Sequence, residues 1–379
     1  MIKKHPLTLV HITNIPTPYR IYFFNKFNLI LKKKNINLIV LYCALSEPNR
    51  NWEINKNSIN YNYYFLKGFT INLKFMFLHI NPFVLIFLNK IKPDILFNAG
   101  AWNMPSAILS LFIKNRKSCI KVFWSEGHKK SVLNPEGIVA FFRRKILRFY
   151  DFFAVPNENS RDFLIEEKVA NKSQIINLPN TIQEDLFIKK NNSSKKNKLK
   201  ILTIVAALEN RKGYQYLLDS LEILPINIKN LFHLQIVGEG KLSNLLKKKL
   251  NKFQISHKLY GNLKTKDVAL LLEESNGFIL PSLIDPNPLS AIEALASGLP
   301  LLLSKNCGNY NECIQENKNG WLFNPVDKNE IAQKITTWAK TSFEDLEEMG
   351  LISRNRYFKY FSIEKVCKDF ALKIDDICH

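Results

Sequence analysis

From residue 201 onward, short unbroken apolar runs alternate with longer stretches in which apolar residues recur every three or four positions. Unbroken runs of four to eight residues predict strands buried on both faces, and the longer period predicts amphipathic helices. ILTIVAAL (201–208) reads as a strand, ENRKG as a turn and 214–224 as a helix. HLQIVG (233–238) is the next strand, followed by a Lys-rich helix from Lys241. KLYG, a helix to Glu274 and GFILPS (277–282) repeat the unit. A helix over 289–297, the strand LPLLLS and a further helix–strand–helix close the series. This alternation predicts a parallel, doubly wound α/β sheet.

The first half follows the same grammar less cleanly. LTLVHI, INLIVLYC, DILFNAG, CIKVFWS and FFAVP are strand candidates separated by helical stretches. Between the halves, IKKNNSSKKNKLK (188–200) offers almost nothing to bury and predicts a linker. At 379 residues the chain has room for two domains. The expected division is 1–187 with a returning C-terminal helix at 362–379, then 201–361, with the site in a cleft between two sheets.

The remaining bulk features narrow the picture. MIKKHPLTLVHITN is interrupted by His11 and Asn14 and reads as a first strand rather than a signal peptide. The most apolar window, 75–88, contains His79, Asn81 and Pro82 and is too short and polar to span a bilayer. The expected location is therefore the cytoplasm, with the inner membrane surface as the alternative. Six cysteines lack CxxC or Cys/His metal spacing and read as reduced thiols, and no metal is expected. The net charge of +21 fits a lysine-rich bias, anionic lipid, phosphorylated substrates or nucleic acid, and does not by itself choose.

The densest chemistry lies in PSLIDPNPLSAIEALASGLP (281–300). A strand ends at Ser282, and a Pro-rich loop opens a helix near Leu289. Loops at the carboxyl ends of parallel strands hold ligands, and a helix N-terminus favours phosphate or hydroxyl groups. Asp285 sits in the loop and Glu293 one turn inside the helix, on the face of Leu289. A capping Asp and a solvated Glu are the plain alternative. Lys212 in ENRKG stands at another strand end, where a cation can stabilise a leaving diphosphate, although an ordinary surface lysine fits too. VGEGK supplies Gly238 and Gly240 for close backbone approach, without a Walker loop or a full GxGxxG.

These pieces, V-A-A-L-E-N-R-K-G, I-V-G-E-G, L-Y-G-N, F-I-L-P-S and D-x7-E running into E-A-L-A-S-G-L-P, resemble the retaining glycosyltransferases of family 4, within the group 1 class. IPTPYRIYFFNKF, LPNTIQEDLF and FSIEKVCKDF extend the resemblance over nearly the whole chain. It implies a GT-B fold, two facing Rossmann-like doubly wound domains, and a nucleotide-diphosphate sugar donor, of UDP or GDP, with no metal. By resemblance, Glu293 holds the ribose hydroxyls and Asp285 contacts the donor sugar. Amides around Asn287, Leu289 and Ser290 touch sugar or phosphate, Lys212 with Arg211 meets the diphosphate, and Asn262 lies where the base is gripped. Three positions depart from the pattern: Asp285 replaces a Glu, Pro288 stands where glycine is common, and Ala207 stands where an Arg is common.

In the first half, WSEGH (124–128) is similar to the family loop whose histidine lies near the donor sugar, which points to His128, with an ordinary surface histidine as the alternative. Glu126, Tyr19, Arg20 and Trp102 are expected on the acceptor side, since aromatic faces stack on sugars. GIVAFFRRKILRFYDFF (137–153) is aromatic and basic. As a helix it sets Arg144 and Arg148 roughly opposite Val139, Phe142 and Ile146, with Arg143 on the flank. That arrangement suits docking on an anionic inner-membrane surface beside a lipid-linked or glycan acceptor, or simply a domain helix with one buried side. The implied role is in bacterial surface polysaccharide or lipopolysaccharide assembly. A sugar-nucleotide epimerase of the same fold and a basic nucleic-acid-binding protein are the rival classes.

Overall fold

The computed structural model describes residues 5–47, 56–73, 76–114, 119–132, 134–188 and 199–378. Most of the expected linker, residues 189–198, lies outside the described residues. The chain forms two units, residues 1–179 with 363–379, and residues 180–362.

The first unit holds β1 (Leu7–Thr13), β2 (Ile36–Tyr42), β3 (Asn62–Phe65), β6 (Ile95–Ala99), β7 (Ile120–Trp124), β8 (Phe152–Val155) and β9 (Ile175–Asn177) in one parallel sheet, in the order β3-β2-β1-β6-β7-β8-β9. A separate antiparallel ribbon pairs β4 (Phe69–Leu73) with β5 (Met76–Ile80). The five expected strands are present. β3, β4, β5 and β9 were not anticipated, because Asn62–Phe65 and Phe69–Leu73 are largely exposed and carry no buried run. The apolar window 75–88 divides between β5 and the Val84–Ile91 helix. Asn81 breaks it by donating its amide N–H groups to the Cys43 and Leu66 carbonyls.

Proline at the first turn opens the Pro18–Lys33 helix, where its missing N–H costs nothing. That helix buries Phe23, Phe24 and Phe27 on the sheet. The C-terminal Ile363–Cys378 helix packs against it, with Phe370 stacked on Phe27 at 5.1 Å and Lys34 paired to Asp375 at 2.8 Å. The basic aromatic segment is helical only over Gly137–Leu147, and β8 follows. Its buried face is Ala140, Arg143 and Leu147, so Arg143 is a core-facing residue rather than a flank. Glu167 at 2.8 Å and the Asn134 carbonyl at 2.9 Å satisfy its guanidinium there. Ile138, Val139, Phe141 and Phe142 point outward instead.

The second unit holds β10 (Lys200–Val205), β11 (Phe232–Val237), β12 (His257–Leu259), β13 (Gly277–Leu280), β14 (Leu301–Ser304) and β15 (Gly320–Phe323), all parallel, in the order β12-β11-β10-β13-β14-β15. Every strand expected from the apolar runs is found. β10 ends at Val205, so Ala206, Ala207 and Leu208 belong to the loop despite their apolarity. The junction between units falls at Pro179, ahead of the boundary expected at 187. Ile182 and Phe187 explain the difference: both are buried in the second unit's core with Leu272, Leu295 and Phe361.

Candidate functional site

In the second unit the strand order reverses between β10 and β13. Loops leaving adjacent strands on either side of such a reversal diverge, and the crevice they leave is where open α/β sheets bind ligands. The loop after β10 carries Ala207 to Gly213, and the loop after β13 carries Pro281 to Pro288. The Leu283 and Ile284 amides donate to the Arg211 carbonyl at 2.8 and 3.2 Å, which stitches the two loops together. Gly213 makes this approach possible. Its φ is +75°, and a Cβ there would stand 1.8 Å from the Pro281 carbonyl oxygen.

The stitch sets Lys212 on Asp285. Their ammonium and carboxylate form an ion pair, with side chains 12% and 9% exposed. Arg211 pairs at 2.8 Å with Glu209, and both are about half exposed. An exposed pair of this kind is worth ~0–1 kcal/mol, so Arg211 is cheaply released toward an anion. Asp285 is held in place by its own backbone, whose carbonyl accepts from the Gly308 amide at 2.9 Å.

The Leu289–Ala296 helix begins after Pro288, with no side-chain cap and no acidic residue in its first turn. Its leading N–H groups, at Leu289 and Ser290, are therefore not capped by Pro288 or by an acid of the first turn. Glu293 follows one turn later. Among the described residues its carboxylate has no hydrogen-bond or ion-pair partner, and burial pushes it up to about 7. A half-neutral carboxyl that ends its helix face unpaired is a ready acceptor for ligand hydroxyl groups.

Gly238 and Gly240 form the turn after β11, with φ of +136° and +156°. Side chains there would strike the Ala206 and Leu208 carbonyl oxygens at 2.1 and 2.4 Å. The glycines therefore let the two loops lie backbone to backbone, with Leu208 N–H donating to the Glu239 carbonyl at 2.8 Å. Asn262, in the loop after β12, donates to Glu239 at 3.1 Å from an exposed position.

The first unit has its own reversal between β1 and β6. There Tyr19, Arg20 and Glu126 share the wall of a cavity of about 210 Å³ with Asn14, Thr17 and Glu47. Arg20 lies flat on the Trp124 ring, with its guanidinium carbon 3.5 Å from the ring centroid, and pairs with Glu126 at 2.8 Å. Trp102 is not part of this wall. It packs instead against the cluster of Leu111, Phe123 and Tyr150. His128 lies in the turn after β7 and is 4% exposed, so it is not a surface histidine. The Ser131 hydroxyl accepts from its backbone N–H at 2.8 Å and donates to its carbonyl at 2.9 Å. Sequence reasoning missed Asn14, Thr17 and Glu47, which belong to no local motif. The placement of Asn14 directly after β1 is the one signal that could have flagged it.

Among the described residues, no group of three or more His, Cys, Asp and Glu side chains could hold a metal ion. Among them, too, no helix is long and apolar enough to cross a membrane.

Two parallel-sheet units, each with its polar loops at a strand-order reversal, are the GT-B architecture. The sequence model described as Glycosyl transferases group 1 matches residues 186–356, nearly all of the second unit. The fold and the matched domain are ones that this chain shares with glycosyltransferases. The chain is 30% identical over 145 residues to a glycosyltransferase of Haemophilus influenzae, covering 37% of this chain and 40% of that one. It is 26% identical over 229 residues to the Escherichia coli UDP-Gal:alpha-D-GlcNAc-diphosphoundecaprenol alpha-1,3-galactosyltransferase, covering 55% of this chain and 56% of that one. These matched stretches span about half the relatives' lengths or less. In fold it is similar to Anabaena HepE, solved in complex with UDP, with a TM-score of 0.73 at 14% identity over 98% of this chain and 99% of that one.

Proposed function

We propose that this protein is a retaining glycosyltransferase of family 4 that moves a sugar from a UDP- or GDP-sugar to a glycan or lipid-linked acceptor in surface polysaccharide or lipopolysaccharide assembly. The observation that carries the donor half is the unpartnered Glu293 carboxylate one turn inside an uncapped helix, beside the Lys212–Asp285 pair. Glu293 takes the ribose hydroxyls. The diphosphate exchanges Asp285 for itself as the partner of Lys212, and the released Asp285 contacts the sugar. Leu289 and Ser290 amides and Arg211 add positive potential where charge develops as the bond from the anomeric carbon to the diphosphate oxygen breaks. The acceptor hydroxyl forms the new bond on the same face and passes its proton to the departing phosphate. His128, Tyr19, Arg20 and Glu126 serve the acceptor and sugar side.

The bound UDP of the Anabaena protein and the diphosphoundecaprenol substrate named for the Escherichia coli relative support this choice of donor and acceptor class. The matched domain does not favour the epimerase reading. The Gly137–Leu147 helix, with Ile138, Phe141 and Phe142 outward beside Arg144 and Lys145, is the surface through which the protein meets the cytoplasmic face of the membrane.

A thermal-shift panel with UDP, GDP, ADP, CMP and the matching sugar nucleotides tests the donor reading. Selective stabilisation by one nucleotide that disappears in Glu293→Ala is expected. A flat response to all of them overturns it.

A further inference from the structure

The cavity at the first unit's strand reversal has an unusual polar balance. Among the described residues, Arg20 Nη1 and Trp124 Nε1 are buried donors without a partner, in residues that are 8% and 2% exposed. Asn14 Oδ1 and Thr17 Oγ1, in the same wall, are buried oxygens that also lack one among those residues. Each such group costs about 1–3 kcal/mol unless something satisfies it, so four around one cavity call for an occupant that hydrogen-bonds, water or ligand. The set mixes donors with acceptors. Hydroxyl groups, which both donate and accept, satisfy the whole set; the Thr17 hydroxyl could also donate to a phosphate or carboxylate, but such an anion would leave the Asn14 Oδ1, which only accepts, unmatched.

Charge makes the same selection. The Arg20 guanidinium is already neutralised by Glu126 at 2.8 Å and pinned on Trp124. Glu47 adds a second carboxylate, 6% exposed. It is held from behind by His79, which is fully buried, with Nε2 at 3.2 Å from Glu47 and Nδ1 at 2.8 Å from the Thr70 hydroxyl. When that hydroxyl donates to Nδ1, the ring proton sits on Nε2 and donates to Glu47, fixing both tautomer and carboxylate. Among the described residues the walls thus carry one cation, Arg20, against two carboxylates, Glu47 and Glu126, which disfavour an anionic ligand. The volume, about 210 Å³, is below the ~300–1,000 Å³ of sites for drug-sized ligands and suits one sugar ring rather than a nucleotide.

We propose that this cavity is a subsite for a single neutral monosaccharide unit of the acceptor, bound through its hydroxyls by Asn14, Thr17, Arg20 and Trp124, with Glu47 and Glu126 excluding phosphorylated and carboxylated sugars. The assignment to the acceptor rests on the transferase reading; the ligand chemistry does not.

The test is saturation-transfer NMR on the full chain without nucleotide, using glucose, galactose and N-acetylglucosamine against glucose 6-phosphate and glucuronate. At least one neutral sugar is expected to bind, and both anionic sugars at least about tenfold more weakly. Thr17→Val should weaken the neutral sugar severalfold at unchanged melting temperature. Glu47→Gln should narrow the discrimination against glucuronate, a change that a purely structural role would not produce. Binding of no sugar, equal binding of the anionic sugars, or discrimination unmoved in Glu47→Gln overturns the subsite. Nucleotide stabilisation measured on the same samples separates the two ideas. If it is present without sugar binding, the subsite alone fails. If it is absent while the sugar pattern holds, the transferase reading fails and the saccharide subsite stands.

Discussion

Lys212 and Asp285, which leave two different strands, meet as an ion pair across the strand reversal of the second unit. Neither is fully buried, and each compensates the other's charge. On the proposed reading, a diphosphate enters by replacing one anion with another. The pair also holds the two loops at the spacing set by Gly213.

Removing Lys212 leaves Asp285 as an uncompensated charge in a poorly solvated place. Lys212→Ala is expected to lower sugar transfer by about 10²–10³-fold, the usual loss for one group stabilising transition-state charge. Asp285→Asn frees Lys212 and should preserve or tighten nucleoside diphosphate binding while lowering kcat. Steady-state kinetics with calorimetric nucleotide titration checks both. Equal losses in binding for the two variants would contradict the exchange of partners.

Glu293 gives a pH dependence whose sign is fixed. Burial lifts its folded value from 4.5 to about 7, so its contribution to stability is fully present below 4.5 and is lost as pH rises through about 7. Glu293→Gln should gain stability over the wild type across that window, with a ceiling of about 3 kcal/mol, since the side chain keeps some solvent contact. Nucleotide affinity should rise through about pH 7 in the wild type, as the carboxylate ionises, and stay flat in the variant. Denaturant melts and nucleotide titrations across that range measure both.

Glycine at 213 is a backbone requirement. A methyl group there meets the Pro281 carbonyl oxygen at 1.8 Å, and φ is already +75°. Gly213→Ala is expected to cost at least about 2 kcal/mol and to loosen the Lys212–Asp285 pair. Chemical denaturation gives the first, and the loss of nucleotide-induced stabilisation gives the second.

His11 lies fully buried against Phe24 and Phe97, and burial, with Arg20 nearby, holds it well below its usual 6.5. The unfolded chain takes up that proton first as pH falls, so stability should drop below about pH 6.5 by up to about 1.4 kcal/mol per pH unit. His11→Leu should flatten this slope relative to the wild type in melts taken between about pH 7 and about pH 5.

Outward-facing Phe141 and Phe142 offer about 1.5–3 kcal/mol each to an apolar environment. A Phe141→Ser, Phe142→Ser double variant should lose flotation with anionic liposomes while keeping its melting temperature. Equal recovery of wild type with and without anionic lipid would remove the membrane from the proposal.

The sequence by itself determined the second unit's sheet. Its strands are continuous apolar runs, because a parallel strand covered on both faces tolerates little else, and ENRKG, VGEGK and D-x7-E lie at strand ends that the pattern alone locates. In the first unit β3 and the β4–β5 ribbon escaped notice, since exposed residues on edge strands leave no such run. Only the tertiary structure decided which face of the Gly137–Leu147 helix turns inward. Arg143 is buried because Glu167 and two backbone carbonyls, distant in sequence or invisible to periodicity, satisfy it. The same holds for the polar cavity. Asn14, Thr17, Glu47, Trp124 and Glu126 come from separate segments, and β1 and β6, which meet at the strand reversal, are far apart along the chain. Pairing of that kind is a property of sheet order, which local spacing does not carry.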